Sequence, residues 1–265
     1  MKYILLICVA FAVYAFAENR LFLRTRRENF GGNVRIAHIS DLHKRCFGNG
    51  NKRLADRIKR EKPDIILITG DLVSRSMTDI SNAESLLHEL CGTAPIYVIM
   101  GNHEKELKPR VFAEYQRIIA ENGGKLLRND SDVLRVKNRE LKIYGLDEKL
   151  EVYKKNGGYK DLDVLDRAES VRLLGECPDG EVLLMAHNPF FGEVYDEWGA
   201  EYTFSGHVHG GIVRIFGVAM LSPERKMFPK NAKGIYGMKH GKLCVSGGLG
   251  KLRLFNLPEI VIYDL

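Results

Sequence analysis

Three short apolar runs, Val34–Ser40, Asp64–Thr69 and Pro95–Met100, alternate with helical patterns over the first half of the chain, and this alternation constrains the fold most. VRIAHIS, DIILIT and PIYVIM are too short for helices and too continuously apolar for strands with a wet face, so each reads as a strand buried on both sides. The segments between them have helical spacing. Leu54, Ala55 and Ile58 share one stripe of a basic helix over Asn51–Lys62, which Pro63 stops, and a second helix spans 79–90. A third covers Pro109–Glu121, with Val111, Phe112, Tyr115, Ile118 and Ile119 toward the core. Buried strands joined by amphipathic helices predict parallel βαβ units.

The second half changes character. Val133–Val136 and Leu141–Tyr144 form a predicted hairpin around Asn138, and a helix near 163–175 leads into a strand at Glu181–Ala186. Strands follow at Tyr202–Phe204, Ile212–Val218, Ile235–Met238, Lys242–Val245 and Ile260–Tyr263, and Leu21–Arg27 reads as one more before the Gly31-Gly32 turn. Two packed sheets with helices outside accommodate both halves. At 265 residues with 45% apolar and 28% charged side chains, the chain suits one large α/β domain. That composition excludes a disordered, collagen-like or coiled-coil chain. The five cysteines are widely spaced without a C-x-x-C pair, which argues against a disulfide framework and for small hydrophobes.

Residues 3–17, YILLICVAFAVYAFA, are unbroken apolar. As a helix they reach roughly 22 Å, short of the ~30 Å hydrocarbon core. Residues 1–20 are read as an N-terminal membrane anchor, with 21–265 as the domain it holds. The basic cluster Arg20, Arg24, Arg26 and Arg27 favours an uncleaved anchor with the domain on the cytoplasmic face of the cell membrane. Ala15-Phe16-Ala17 before Glu18 suits a cleaved signal and an exported form, the competing reading, and a buried soluble helix is a third. The formal charge of +6 lies mostly here: residues 1–27 carry +4, leaving +2 for the rest. A nucleic-acid partner wants its basic excess on a folded face, so none is expected.

Five chemistry-bearing clusters each follow a predicted strand: Asp41-Leu42-His43, Gly70-Asp71, Gly101-Asn102-His103-Glu104, His187-Asn188 and Gly206-His207-Val208-His209. Open α/β sheets gather ligands at the carboxyl ends of their strands, so the five converge on one crevice. Two carboxylates, a carboxamide and five imidazoles, without thiolate, suit Mn, Fe, Zn or Co. In an extended segment i and i+2 point the same way, so Asp41 and His43 can reach one ion, and His207 and His209 can straddle two. Asn102 and His103 diverge, one to metal and one to substrate. Glycines 70, 101 and 206 let the backbone turn and approach the site closely. Asp41 and Asp71 bring two negative charges against four from two divalent ions, and a bridging hydroxide leaves a positive centre that attracts phosphate.

The ordered set D-x-H, G-D, G-N-H-E, H, G-H-x-H over residues 41–209 resembles the calcineurin-like metallophosphoesterase family. GHVHGG, GLG and FNLPEIVIY beyond Ser205 look like its membrane-anchored bacterial branch, similar to UDP-diacylglucosamine pyrophosphohydrolases. The resemblance implies a four-layer αββα sandwich, two mixed sheets flanked by helices, behind the N-terminal hydrophobic helix. It also implies a metal-dependent phosphohydrolase with two divalent ions (Mn, Zn or Fe) that cleaves a phosphoester or pyrophosphate by attack of a bridging hydroxide. Carried over by position, Asp41, His43, Asp71 and His209 hold one ion. Asp71 bridges to the second, which Asn102, His187 and His207 complete, and His103 is the acid. The implied substrate is a phosphorylated small molecule, nucleotide-linked or lipid-linked.

Any of these histidines alone reads as a hydrogen-bonded structural residue; the ordered context singles out five and leaves out His38, His88 and His240. Glu104 reads as a support beside the ligands. Arg75 follows Asp71 as an arginine does in the similar G-D-x-V-D-R-G of protein serine/threonine phosphatases, where it clamps phosphate. Ser74 and Ser76 replace that motif's Asp and Gly, so a solvated loop arginine is the competing reading. Phe190-Phe191 and Trp198 suit the core or rim, or contact with lipid; the basic face of 51–62 suits solvent, or anionic headgroups. A nuclease or nucleotide phosphodiesterase of the same fold, and a scaffold without catalysis, are the alternatives. The filled ligand positions argue against the scaffold.

Overall fold

The computed structural model describes residues 2–223 and 225–265. Helix α1 (Lys2–Arg20) precedes β1 (Arg24–Asn29), β2 (Arg35–Ile39), α2 (Lys52–Arg60), β3 (Ile65–Thr69), α3 (Ser81–Leu90), β4 (Ile96–Ile99), α4 (Pro109–Glu121) and β5 (Gly124–Leu126). The second half runs β6 (Asp130–Val136), β7 (Arg139–Gly145), α5 (Arg167–Leu174), β8 (Glu181–Met185), α6 (Gly192–Trp198) and β9 (Tyr202–Ser205). It closes with β10 (Val213–Ile215), β11 (Val218–Leu221), β12 (Gly234–Gly237), β13 (Lys242–Val245) and β14 (Glu259–Asp264).

Two six-stranded mixed sheets form the centre, ordered β1-β14-β2-β3-β4-β5 and β12-β13-β9-β8-β7-β6. Strands β2, β3 and β4 are parallel neighbours, as are β7, β8 and β9. Strand alternation sorts the core. Ile36, Ile65, Leu67 and Tyr97 face Ile143, Leu183, Met185 and Phe204 between the sheets. Ala37, Ile39, Ile66 and Ile68 turn outward onto Leu54 and Ile58 of α2, Leu86 and Leu90 of α3 and Ile118 of α4. On the far side Val182, Leu184 and Val245 pack on Tyr195 and Trp198 of α6. The result is the expected helix–sheet–sheet–helix sandwich, and it holds the parallel strands of both sheets with their carboxyl ends along one edge.

Several expectations change. The strand expected at Ile212–Val218 is two, folded as an antiparallel hairpin around Phe216 and Gly217, whose φ values of 48° and 84° give the turn its hand. The strand expected at Leu21–Arg27 begins later, because α1 runs on to Arg20. The helix near 163–175 starts at Arg167, where the Asp166 side chain accepts from Glu169 N at 2.8 Å. Strand β5 and helix α6 were not expected. Of the cysteines only Cys244 is buried; Cys46 and Cys91 are exposed, so they do not serve as core hydrophobes. The basic face of α2 pairs with its own surroundings through Lys52–Asp56 and Lys59–Glu89.

Candidate metal centre

The clusters lie where the strands end. Asp41 follows β2, Asp71 follows β3, Asn102 and His103 follow β4, His187 follows β8, and His207 and His209 follow β9. Hydrogen bonds between the loops fix their relation. Asp41 N donates to Gly70 O at 3.1 Å and His43 N to Asp71 O at 3.0 Å. His103 N donates to Asp71 Oδ1 at 2.9 Å, and His207 N to both Asp41 carboxylate oxygens at 3.1 and 3.2 Å.

The local backbone corrects one premise. Asp41, His43, Asp71, His207 and His209 all have positive φ, between 53° and 69°. Asp41 and His43 therefore reach one ligand set, and His207 and His209 two neighbouring sets, through left-handed kinks, not through the alternation of an extended strand. Such φ is uncommon outside glycine and clusters at functional sites. Close approach also requires Gly101, where a Cβ would lie 2.2 Å from Asp71 Oδ1, and Gly206, where one would lie 1.8 Å from Ser40 Oγ.

Two ligand sets result. The donor atoms of Asp41, His43, Asp71 and His209 lie within 4.8 Å of one another, and so do those of Asp71, His187 and His207. Asp71 belongs to both. His43 Nε2 stands 3.1 Å from His209 Nε2, and His209 Nε2 3.4 Å from Asp41 Oδ1. Nδ1 of His187 donates to Thr69 O at 2.6 Å, which leaves Nε2 facing Asp71 Oδ2, 3.5 Å away. Both His187 Nε2 and Asn102 Oδ1 are buried without a hydrogen-bond partner among the described residues. Orphaned buried polar atoms are costly, and imidazoles gathered around two buried carboxylates are what a cation satisfies. The residues present fit divalent ions.

The electrostatics agree. Burial would raise the carboxyls of Asp41 and Asp71, but neighbouring imidazoles, His209 for the first and His187 and His103 for the second, hold both below the usual range. Burial would lower His187, yet Asp71 and Asp41 push it up to about 10. Burial keeps His43 neutral, lowered to about 3.

His103 lies beside Asp71. Its Nδ1 accepts the Arg75 N–H at 3.2 Å, and its Nε2 lies 3.9 Å from Asp71 Oδ2. Burial lowers its pKa. Glu104 holds the frame: its carboxylate accepts from Asp71 N at 2.9 Å, Val73 N at 3.0 Å and Gly101 N at 2.8 Å. Burial and Asp71 raise Glu104 to about 7, against the Val73 and Gly101 N–H groups. Arg75 is not a free loop cation; its guanidinium pairs with Glu106, which Lys154 also meets at 3.2 Å. His38 stays out of the site, bonded to Thr69 Oγ1 at 2.7 Å.

A cavity of ≈ 410 Å³ opens over the cluster, lined by Asp71, Asn102, His103, His207 and His209 and walled by Lys44, Arg75, Tyr153, Lys154, Tyr159, Lys251 and Leu252. The tyrosines, Lys154 and the Lys251-Leu252 wall escaped sequence reasoning, because no short motif marks them. Gly248-Leu249-Gly250 offered the one local signal for the wall. Trp198 is a core residue at 2% exposure, while Phe190 packs edge-on near His207 with ring centroids 6.3 Å apart.

Residues 34–211 match the calcineurin-like phosphoesterase family. The metallophosphoesterase YkoQ of Bacillus subtilis is 25% identical over 88% of this chain and 83% of its own. The phosphodiesterase YaeI of Escherichia coli is 26% identical over 87% and 82%. Among solved structures, the sulfate thiohydrolase SoxB of Thermus thermophilus superposes with a TM-score of 0.52 at 13% identity, over 82% of this chain and 52% of that one. This likeness is one of fold, and the chain spans about half of SoxB's length. Family members bind divalent metals, and the chain carries the matching candidate cluster where the strands of both sheets end. The match covers both ligand sets, and with it the chain belongs to the calcineurin-like phosphoesterase family.

Proposed function

We propose that this chain is a membrane-anchored hydrolase of phosphodiester or pyrophosphate bonds that works with two divalent ions sharing Asp71. The observation that carries the reading is Asp71 standing in both ligand sets, with the buried Asn102 Oδ1 without a hydrogen-bond partner among the described residues. One ion falls to Asp41, His43, Asp71 and His209, and the other to Asp71, Asn102, His187 and His207. Oxygen and imidazole donors suit Mn, Zn or Fe. When bound, such ions supply a nucleophile at neutral pH and positive charge against the phosphoryl oxygens.

The remaining work belongs to side chains. His103 presents Nε2 to the cavity and donates a proton to the leaving oxygen. To act as an imidazolium it must give up the 3.2 Å contact from Arg75 N, which an anionic substrate above the ring favours. Arg75 and Lys154 share one carboxylate, Glu106, so the pair keeps one uncompensated positive charge for a phosphate oxygen. Glu104 keeps the Asp71 and Gly101 backbone in place.

Residues 1–20 serve as the anchor and 21–265 as the catalytic domain. Helix α1 is 19 residues long, about 28 Å, and exposes nearly all its apolar side chains; a soluble core helix would be covered. A phosphorylated small molecule or lipid-linked phosphoester suits this placement, and the Escherichia coli relative's name makes a phosphodiester the first substrate to try. The test uses detergent-solubilised full-length protein with Mn, Zn or Fe against bis-p-nitrophenyl phosphate, p-nitrophenyl phosphate, a nucleotide diphosphate sugar and a phospholipid. Metal-dependent, chelator-sensitive cleavage of a diester or pyrophosphate is expected. Metal loading without cleavage of any of them would overturn the reading.

A further inference from the structure

Helix α1 is not a loose tether. The buried Glu18 carboxylate accepts from Phe255 N at 2.8 Å and from Asn256 N. Asn19 and Arg253 exchange two bonds, Asn19 Nδ2 to Arg253 O at 2.8 Å and Arg253 N to Asn19 Oδ1 at 3.0 Å. Tyr14 stacks on Phe255 with centroids 5.3 Å apart. The strap that receives the helix, residues 250–256, is also a wall of the metal centre. Arg253 Nη1 and Asn256 Nδ2 both donate to His209 O, at 3.0 and 2.7 Å. Gly250 packs so close that a Cβ there would lie 3.2 Å from both the His209 and His43 rings. The direction of α1 is thereby fixed relative to the site.

An apolar surface continues from this junction. Leu254 pairs with β10, giving its N–H to Ile212 O at 2.9 Å and taking that of Arg214 at 3.0 Å. The β10–β11 hairpin then carries Phe216, fully exposed at its tip, between exposed Ile215 and Val218. Past β11, Met227 bridges back to Leu221, and Met227 and Phe228 are 63% and 59% exposed. On the strap itself Leu252 is 80% exposed and lines the cavity together with Lys251 and Pro223. A hairpin tip in water is ordinarily polar, and a run of exposed large apolar groups continuous with an exposed apolar helix marks a contact surface. Exposed Lys44 and Lys251 flank its cavity side, and exposed Arg225, Lys226 and Lys230 flank the Met227-Phe228 pair along the chain. Apolar side chains ringed by cations match an anionic bilayer.

We propose that the face carrying Leu252, Phe255, Phe216 and Phe228 seats on an anionic bilayer surface, so that the cavity opens at headgroup level and takes its phosphoester from the leaflet. The proposal rests on the anchor reading of α1 and adds an orientation that a flexible anchor would not impose. It is tested with full-length Phe216→Trp and Phe228→Trp in vesicles of three parts phosphatidylcholine to one part phosphatidylglycerol, with and without brominated acyl chains. Phe11→Trp reports on α1 and Arg135→Trp on the β6 hairpin. The native Trp198, buried in the core, supplies the background to subtract. Brominated lipid should cut the added emission at 216 and 228 roughly twofold or more, as at 11, and leave 135 unchanged. Quenching at 11 without quenching at 216 and 228 would overturn the seated face and spare the anchor. Absence of quenching at 11 would overturn both.

Discussion

His103 lines the cavity, and the Arg75 N–H occupies its Nδ1. A ring that only braces the loop would matter equally to every substrate, whereas a proton donor matters in proportion to the leaving group's need. His103→Asn should leave metal content nearly intact and lower turnover on the order of 10²–10⁴ for an alkyl leaving group, with a small loss for p-nitrophenolate. Equal losses for the two substrates would remove His103 from the acid role. His187 gives a pH test. Its metal-free pKa is pushed up to about 10 although burial opposes it, and a metal needs the neutral ring. Loading chelated protein with Mn at pH 7 should therefore release about one proton from this ring, and affinity should rise with pH until about 10. Calorimetry in buffers of different ionisation enthalpy reads the proton, and His187→Asn should abolish that share. At this scale the sequence was informative because Asp41, His43, Asp71, Asn102, His103, His187, His207 and His209 each stand in a short motif after a strand. Tyr153, Lys154 and Tyr159 reach the same cavity from a long connection whose path only tertiary packing decides.

Strand ends, more than strands, make the site. Five ligand-type residues sit at positive φ, and the loops touch so closely that side chains are excluded between them. Gly101→Ala should push the Asp71 carboxylate off its position and cost about 1–3 kcal/mol of stability by overpacking. Metal content and denaturant midpoint, measured together, check it; unchanged metal binding would show that the carboxylate has room to move. The buried strands β2, β3, β4 and β8 were legible because each is a compact apolar run. Strand β5 was not: Gly124–Leu126 has three residues, and only pairing with β4 makes it a strand. Asp41 and His43 come together, and His207 and His209 reach neighbouring sets, through left-handed kinks that no apolar pattern marks. Helix α6 hid in seven residues with a glycine at its start.

On the scale of the molecule, the 19-residue apolar helix, the strap at 250–256 and the metal cluster form one connected unit. Full-length protein should sediment with membranes and resist high-salt extraction; release by salt would mean electrostatic peripheral binding. An N-terminus mapped to Glu18 would show a cleaved signal. The helix was legible as an apolar run, but its bonding to Phe255, Asn256 and Arg253 joins residues more than 230 positions apart, which no local pattern reveals. One carboxylate serving two ions fixes the metal stoichiometry, which elemental analysis measures. Wild-type protein should carry about two divalent transition-metal equivalents, and Asp71→Asn should lose both metal and turnover. An Asp71→Asn variant that keeps full turnover, or a fully active wild-type protein with a single ion, would contradict the account.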